Sequence, residues 1–306
     1  LTDPSDLARK AYIVTGPTSG FGRAAALELA RHGTIILVGR DRGRLTEVEK
    51  QIARSGGRGV SVVCDLADPA SVRRAAADII ALGAPIAGLL NNAGVRQVRA
   101  TTNTLGWDMT FATNHLGPFL LTEALVPHLA DGTKVLFVVS AVEDPERKPA
   151  VAAGFRGGRY ISAEASAKGE WLAGGSAQPG FDSYATSKQA ALATALALAR
   201  THPRLSINAL EPGLALTTGL GRDSGPVVGL LTAYVFPLLV PLLMPFLKIL
   251  TTPQRAGRVI ARILTDGSDP TGVYFDEGGR PMQGSERVRD PAFQDRVVAE
   301  SRALLA

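Results

Sequence analysis

Tyr184 and Lys188 stand one helical turn apart in Tyr184-Ala185-Thr186-Ser187-Lys188. On a helix that spacing puts both side chains on one face. An ordinary phenol keeps its proton until pH ~10, so alone it is a poor proton shuttle near neutrality. A neighbouring ammonium favours the phenolate and is expected to bring Tyr184 towards the working range. The pair therefore reads as a general acid with its electrostatic partner. Many helices carry the same spacing for packing alone, so its meaning depends on the segments around it.

Those segments begin with Ala11-Tyr12-Ile13-Val14-Thr15, a mostly apolar run that predicts a buried strand. It enters Thr15-Gly16-Pro17-Thr18-Ser19-Gly20-Phe21-Gly22 and then a helical stretch over 21–32. Strand, glycine turn and helix start together suit a dinucleotide pyrophosphate. Gly16 permits the tight turn, Gly20 permits close backbone approach, and the helix start offers free N–H groups and a positive dipole end. The spacing is Gly-x-x-x-Gly-x-Gly rather than the general Gly-x-Gly-x-x-Gly. Further along, a strand over 86–91 ends in Asn91-Asn92-Ala93-Gly94. Asn114-His115-Leu116-Gly117-Pro118-Phe119 lies in a long helical segment, and Glu211-Pro212-Gly213, with Thr217 beyond, follows a strand over 205–210.

With these five motifs in order, the chain resembles the short-chain dehydrogenase/reductase family over nearly its whole length. The run from Phe111 to Leu120 is closest in wording to the retinol-dehydrogenase-like branch. The resemblance implies an oxidoreductase that moves hydride between a nicotinamide and a carbonyl or alcohol. Tyr184 would exchange the proton, and Ser140 would hydrogen-bond the reacting oxygen. Lys188 would hold the ribose, and Asn114 would order a water leading from Lys188 to solvent. It also implies that Gly16, Thr18, Ser19, Gly20, Phe21 and Gly22 form the cofactor turn. Asp65 and Leu66 would hold the adenine edge, and Asn91, Ala93 and Gly94 would line the ribose side. Pro212, Gly213 and Thr217 would fix the carboxamide.

Family members commonly place the catalytic serine shortly before the tyrosine, whereas here the stretch 141–182 separates Ser140 from Tyr184. Ser162, Ser166, Ser176 and Ser183 are therefore rivals, although only Ser140 directly follows a strand. Cofactor choice turns on the tip of the second strand, Ile35-Ile36-Leu37-Val38-Gly39-Arg40. A carboxylate there would select the free ribose of NAD. The planar fork of Arg40 suits the extra phosphate of NADP(H), with Arg42 and Arg44 adding field and Asp41 capping the next helix.

Alternating strands near 11–15, 34–39, 59–64, 86–91, 133–139, 205–210 and 272–276 fall between helices over 21–32, 41–55, 69–82, 104–130, 183–201 and 253–265. That alternation predicts an α/β class, a doubly wound Rossmann-type parallel sheet of about seven strands. The whole of 1–306 reads as a single domain, with an insertion at 141–182 and a substrate lid at 214–251. The lid contains the uncharged run 224–247, long enough for a membrane span. Pro237, Pro241 and Pro245 would disrupt successive helical turns, so an apolar substrate cover is preferred over a membrane-interface element or a subunit contact.

The 306 residues are 45% hydrophobic with net charge +5, and no basic stripe interleaved with aromatics argues for nucleic acid. Cys64 is the single cysteine, which excludes an intrachain disulfide and reads as buried filler. His32, His115, His128 and His202 lack metal-ligand spacing. The expectation is a cytoplasmic, NADPH-dependent ketoreductase for a bulky apolar substrate. A membrane-peripheral retinoid, steroid or lipid dehydrogenase and a non-catalytic NADP-binding module remain as alternatives. Many family members dimerise through the helices near Asn103 and Asp182. An insertion beside the second predicts a monomer or an atypical dimer.

Overall fold

The computed structural model describes residues 10–178, 180–214, 251–268 and 270–306. The chain runs β1 (Ala11–Thr15), α1 (Gly20–Leu29), β2 (Thr34–Gly39), α2 (Arg42–Arg54), β3 (Gly59–Val63), α3 (Pro69–Ala81) and β4 (Ile86–Asn91). After a broken helical region holding α4 (Met109–Phe111) and α5 (Gly117–Leu125) come β5 (Lys134–Val138), two short helices α6 (Lys148–Ala152) and α7 (Ala163–Ala167), the long α8 (Phe181–Thr201) and β6 (Ser206–Leu210). The end of the chain supplies α9 (Pro253–Thr265), β7 (Tyr274–Phe275), β8 (Pro281–Met282), α10 (Glu286–Arg289) and α11 (Pro291–Leu305).

The strands form one sheet in the order β3-β2-β1-β4-β5-β6-β7-β8. All pairs are parallel except β7 with β8. Strand order reverses between β1 and β4, which opens a crevice at their carboxyl ends. β1 and β5 are buried at every position, as strands covered on both faces must be, which is why they read as apolar runs without alternation. α1 and α9 cover one face together. A Cβ on Gly257 would come within 2.7 Å of Ala24 C, so only glycine lets these two helices approach so closely. Asp68 and Thr252 cap α3 and α9 ahead of a first-turn proline, as their sequences signal. Cys64 is 1% exposed, and burial pushes its thiol up to about 12.

Three parts of the architecture differ from the sequence reading. The stretch over 104–130 is not one helix. Asn103 Oδ1 accepts from the amides of Leu105 and Trp107 and holds a turn there. Helix begins at Met109 under the Asp108 cap, passes through a π-helix over Ala112–Leu116 and continues as an α-helix over Gly117–Leu125. β8 adds an eighth, antiparallel strand, too short to show periodicity. The third difference is α10 and α11, which the strand-helix alternation did not extend to.

α11 explains what anchors the insertion. Tyr160, 0% exposed, donates to Glu300 Oε2 at 2.7 Å, and the same oxygen accepts the Ala163 amide at 3.1 Å. Tyr160 also stands edge-on to Phe293 of α11. At its start the insertion is tied down by Glu143, which accepts from the Ser285 amide and hydroxyl at 2.8 and 2.6 Å. Near its end Phe155 stacks on Phe181 with ring centroids 4.0 Å apart. His115 in the π-helix shares a 2.8 Å hydrogen bond with Ser301 of α11, and burial pushes it down to about 3, so it stays neutral. Sixteen of the 21 residues of α8 are buried, so this helix is covered on all sides within one chain.

Removing the Tyr160 hydroxyl takes one hydrogen-bond donor from the part-buried Glu300 carboxylate. Tyr160→Phe should cost about 1–2 kcal/mol, read as a lower urea midpoint with an unchanged m-value.

Candidate active site

Four strand ends meet at the crevice. At the end of β1, Thr15 Oγ1 donates to Leu90 O at 3.2 Å and accepts the amides of Asn92 and Ala93 at 2.9 and 3.0 Å. Asn92 returns the contact, donating through Nδ2 to Thr15 O at 2.9 Å and Gly16 O at 3.3 Å. The two strands on either side of the reversal are thus joined by side chains as well as by the ladder. Gly16 has φ +66°, which glycine adopts freely. A Cβ on Gly22 would sit 2.3 Å from both Gly16 O and Asn92 Nδ2, so the helix start presses directly on the turn.

Ser19 precedes α1 without a side-chain cap, which leaves the first amides of that helix to an external acceptor. The turn, its glycines and this open helix end fit a dinucleotide pyrophosphate. Arg40 follows β2 and is exposed, while Asp41 is engaged as the α2 cap through the Arg44 amide at 3.1 Å. Asp65 Oδ1 accepts the Ala67 amide at 3.0 Å, and Leu66 is buried with its carbonyl packed on Gly117. Asn91 turns its amide inward to Thr122 Oγ1 at 2.9 Å, so what it offers a ribose is main chain.

The candidate reacting groups come from the end of β5, from α8 and from the π-helix. Lys188 is buried, and its Nζ donates to Val138 O at 2.9 Å and lies 5.6 Å from the Tyr184 ring centroid. Asn114 bonds both polar groups of Val95: its Oδ1 accepts that amide at 2.8 Å and its Nδ2 donates to that carbonyl at 2.9 Å. Nδ2 also donates to Ser187 Oγ at 3.0 Å. A Cβ on Gly94 would lie 3.4 Å from Asn114 Oδ1 and 3.5 Å from Lys188 Nζ, so Gly94 sits between them.

Ser140 makes no capping bond, and it lies near enough to Tyr184 and to the Glu211 carboxyl to act on both electrostatically. Its rivals are placed elsewhere. Ser162 caps α7, Ser176 donates to Gly154 O at 2.7 Å, and Ser183 donates to Asp108 Oδ1 at 2.5 Å. Ser166 is fully buried, with its hydroxyl unpartnered among the described residues. Of these serines, Ser140 is the one that acts on the Tyr184 phenol. Thr217 and the run 224–247 lie outside the described residues. Pro212 and Gly213 are buried at the end of β6.

The electrostatics depart from the sequence reading in one respect. Burial, followed by the negative charge of Glu211, raises the Tyr184 phenol above its usual range. The opposing pulls come from Arg96 and the nearby Ser140 rather than from Lys188. Burial also lowers Lys188 to about 8, with Glu211 acting the other way. An ammonium so desolvated and engaged with a carbonyl is a weaker lever on its neighbour than spacing alone implies.

Thr15, Asn92, Ser187 and Glu211 are the site residues that motif reading missed. Glu211 was in plain view, an acid standing directly before Pro-Gly at a strand end. Among the described residues no group of His, Cys, Asp and Glu is arranged to hold a metal ion. Nor, among them, is any helix long and apolar enough to cross a membrane.

Comparison with known proteins fits this geometry. The family model described as short chain dehydrogenase matches residues 10–150. A Streptomyces protein named "Putative daunorubicin C-13 ketoreductase DnrU" is 33% identical over 225 residues, 73% of this chain and 71% of its own length. Retinol dehydrogenase 13 of Homo sapiens is 30% identical over 310 residues, 97% of this chain and 84% of its own. A blue fluorescent protein from a metagenomic library, crystallised with NADPH, has TM-score 0.63 at 25% identity, covering 90% of this chain and 98% of that one. The chain belongs to the short-chain dehydrogenase/reductase family and is an oxidoreductase of that family.

The contact of Gly22 with Gly16 O makes it the least replaceable point of the turn. Gly22→Ala should destabilise the fold by about 1–3 kcal/mol, the scale of overpacking, seen as a lowered denaturation midpoint.

Proposed function

We propose that the protein is an NADPH-dependent carbonyl reductase acting on a bulky apolar ketone or aldehyde. The observation that carries this reading is the meeting of Ser140, Tyr184, Lys188 and Asn114 at the crevice where the glycine turn opens. NADPH would supply the hydride. The amides of the Gly16–Gly22 turn would bind its pyrophosphate, and Arg40 its 2′-phosphate. Asp65 and Leu66 would hold the adenine edge, with Ala93 and Gly94 on the ribose side and Pro212, Gly213 and Thr217 at the carboxamide.

Tyr184 then gives its proton to the carbonyl oxygen, and Ser140 holds that oxygen by a hydrogen bond. A phenol kept protonated by burial and by Glu211 is in the correct state to act as an acid. Lys188, fixed on Val138 O, would bind the ribose. Asn114, engaged with Val95, would order a water that returns the proton. Arg96 lies over the Phe181 ring, 5.2 Å from its centroid, and adds positive field at the phenol. A chain whose α8 is covered by its own insertion and α11 would work as a monomer or an atypical dimer.

Retinoid or lipid oxidation at a membrane surface is a second reading, favoured by the similarity to retinol dehydrogenase 13 and by the uncharged run 224–247. Flotation with lipid vesicles separates the two. A non-catalytic NADP-binding role is disfavoured by the complete Ser140, Tyr184, Lys188 and Asn114 set.

The reading is tested by NADPH oxidation against a panel of bulky ketones and aldehydes. Tyr184→Phe should lower turnover by at least ~100-fold, the scale of a lost general acid, while NADPH binding persists. Retained activity would remove Tyr184 from the mechanism. Arg40→Ala should weaken NADPH binding by about 1.5–3 kcal/mol with little change for NADH. Equal losses for both cofactors would show that Arg40 does not hold the phosphate.

A further inference from the structure

Arg96 follows Val95 in the loop that leaves β4, and its backbone is fixed from both sides. Asn114 bonds the amide and the carbonyl of Val95. A Cβ on Gly180 would lie 1.8 Å from Gln97 O, so the start of α8 presses on the residue after Arg96. The guanidinium lies over the Phe181 ring, 5.2 Å from its centroid. Phe181 in turn stacks on Phe155 of the insertion, whose ring centroid is 6.3 Å from that of Tyr184. Phe155, Phe181 and Tyr184 form one apolar cluster with Val142. A cation therefore stands against an aromatic floor that reaches the Tyr184 ring.

Arg96 is half-buried, and among the described residues its guanidinium makes no hydrogen bond or ion pair. Arg287 and Arg296 also lie over a ring, that of Phe293, and both have polar partners. Arg287 donates to Tyr160 O at 2.8 Å, and Arg296 pairs with Glu300 at 3.9 Å. The acids around the start of α8 are committed elsewhere. Asp182, next to Phe181, accepts the Ser176 amide at 3.0 and 3.1 Å, and Asp108 accepts from Ser183 and Phe111. Stacking holds a guanidinium by its face and leaves its five N–H donors free in the plane. A planar fork without an acceptor matches a carboxylate, which takes two parallel bonds.

We propose that Arg96 is a specificity-determining residue that binds a carboxylate on the substrate, a ketone whose apolar body lies along Phe155 and Phe181. This rests on the carbonyl-reductase reading above and narrows it. The carbonyl would sit at Tyr184 and the carboxylate at Arg96, so the molecule is held at both ends and presents its carbonyl in one orientation. A guanidinium stays charged throughout the working pH range, so the anchor is constant while Tyr184 exchanges its proton.

The test compares kcat/KM for NADPH-dependent reduction of aryl ketones carrying a terminal carboxylate, in a series of chain lengths, with the same ketones as methyl esters. Wild type should favour the free acid at the fitting chain length by at least ~10-fold, the scale of a charged hydrogen bond. R96A should lose at least ~10-fold more on that acid than on its ester, while a loss shared by both reports the field at the phenol. R96K keeps the charge without the fork and should fall between wild type and R96A. NADPH binding within ~3-fold of wild type shows that each variant is folded with its cofactor site intact. A wild type that reduces acid and ester alike at every chain length, equal R96A losses on both, or an R96A defect confined to NADPH binding would overturn the proposal. Failure of the underlying reading looks different: a wild type inactive on every ketone, esters included, or a Tyr184→Phe variant with full turnover.

Discussion

A lysine ammonium buried in the middle of a protein is costly unless its charge is met, and Lys188 has few ways to meet it. Its Nζ reaches Val138 O at the end of β5, and the Glu211 carboxyl at the end of β6 acts on it through space. That requirement fixes α8 against the carboxyl ends of two neighbouring strands. Tyr184 lies one turn before Lys188 on α8, and Ser140 lies just beyond Val138, the last residue of β5. Placing the ammonium therefore places both. The same burial that makes the ammonium costly also holds the phenol protonated. One constraint sets both the geometry of the site and its proton inventory.

The far side of the crevice rests on a separate device. Parallel strands on either side of a reversal in strand order have no tight turn to align them, so register alone must hold their ends level. Here Thr15 and Asn92 add side-chain bonds across the gap, and Gly22 brings the first helix against the same point. The glycine turn is held from three directions before any ligand arrives. Such preorganisation lowers the ordering cost of binding a flexible dinucleotide.

Much of this was legible because each motif is local. Strand, glycine turn and helix appear within residues 11–32, and the Tyr184/Lys188 pair within one helical turn. Capping by Asp68, Thr252 and Asp41 was also readable, since an N-cap acts on amides two or three residues away. The parts that escaped depend on partners distant in sequence. Tyr160 looks like any aromatic in a glycine-rich insertion until Glu300 is seen beneath its hydroxyl. α11 carries a weakly amphipathic pattern because it packs on α8 with one face and on the insertion with another. The effect of Lys188 on Tyr184 was misjudged for a related reason: spacing reports proximity, but not Val138 O or the nearby carboxylate of Glu211.

Leu214 O accepts the Thr251 amide at 3.1 Å, so the chain departs for 215–250 and rejoins the fold at adjacent points. The two ends of that stretch are thereby held together by described residues alone. The entropy of closing it grows only with the logarithm of its length, about 0.6 kcal/mol for each doubling. Its size and composition can therefore change over evolution, or in the laboratory, without disturbing the register of β6 or the cap of α9. The fold is thus indifferent, at this junction, to how much chain lies between its two ends.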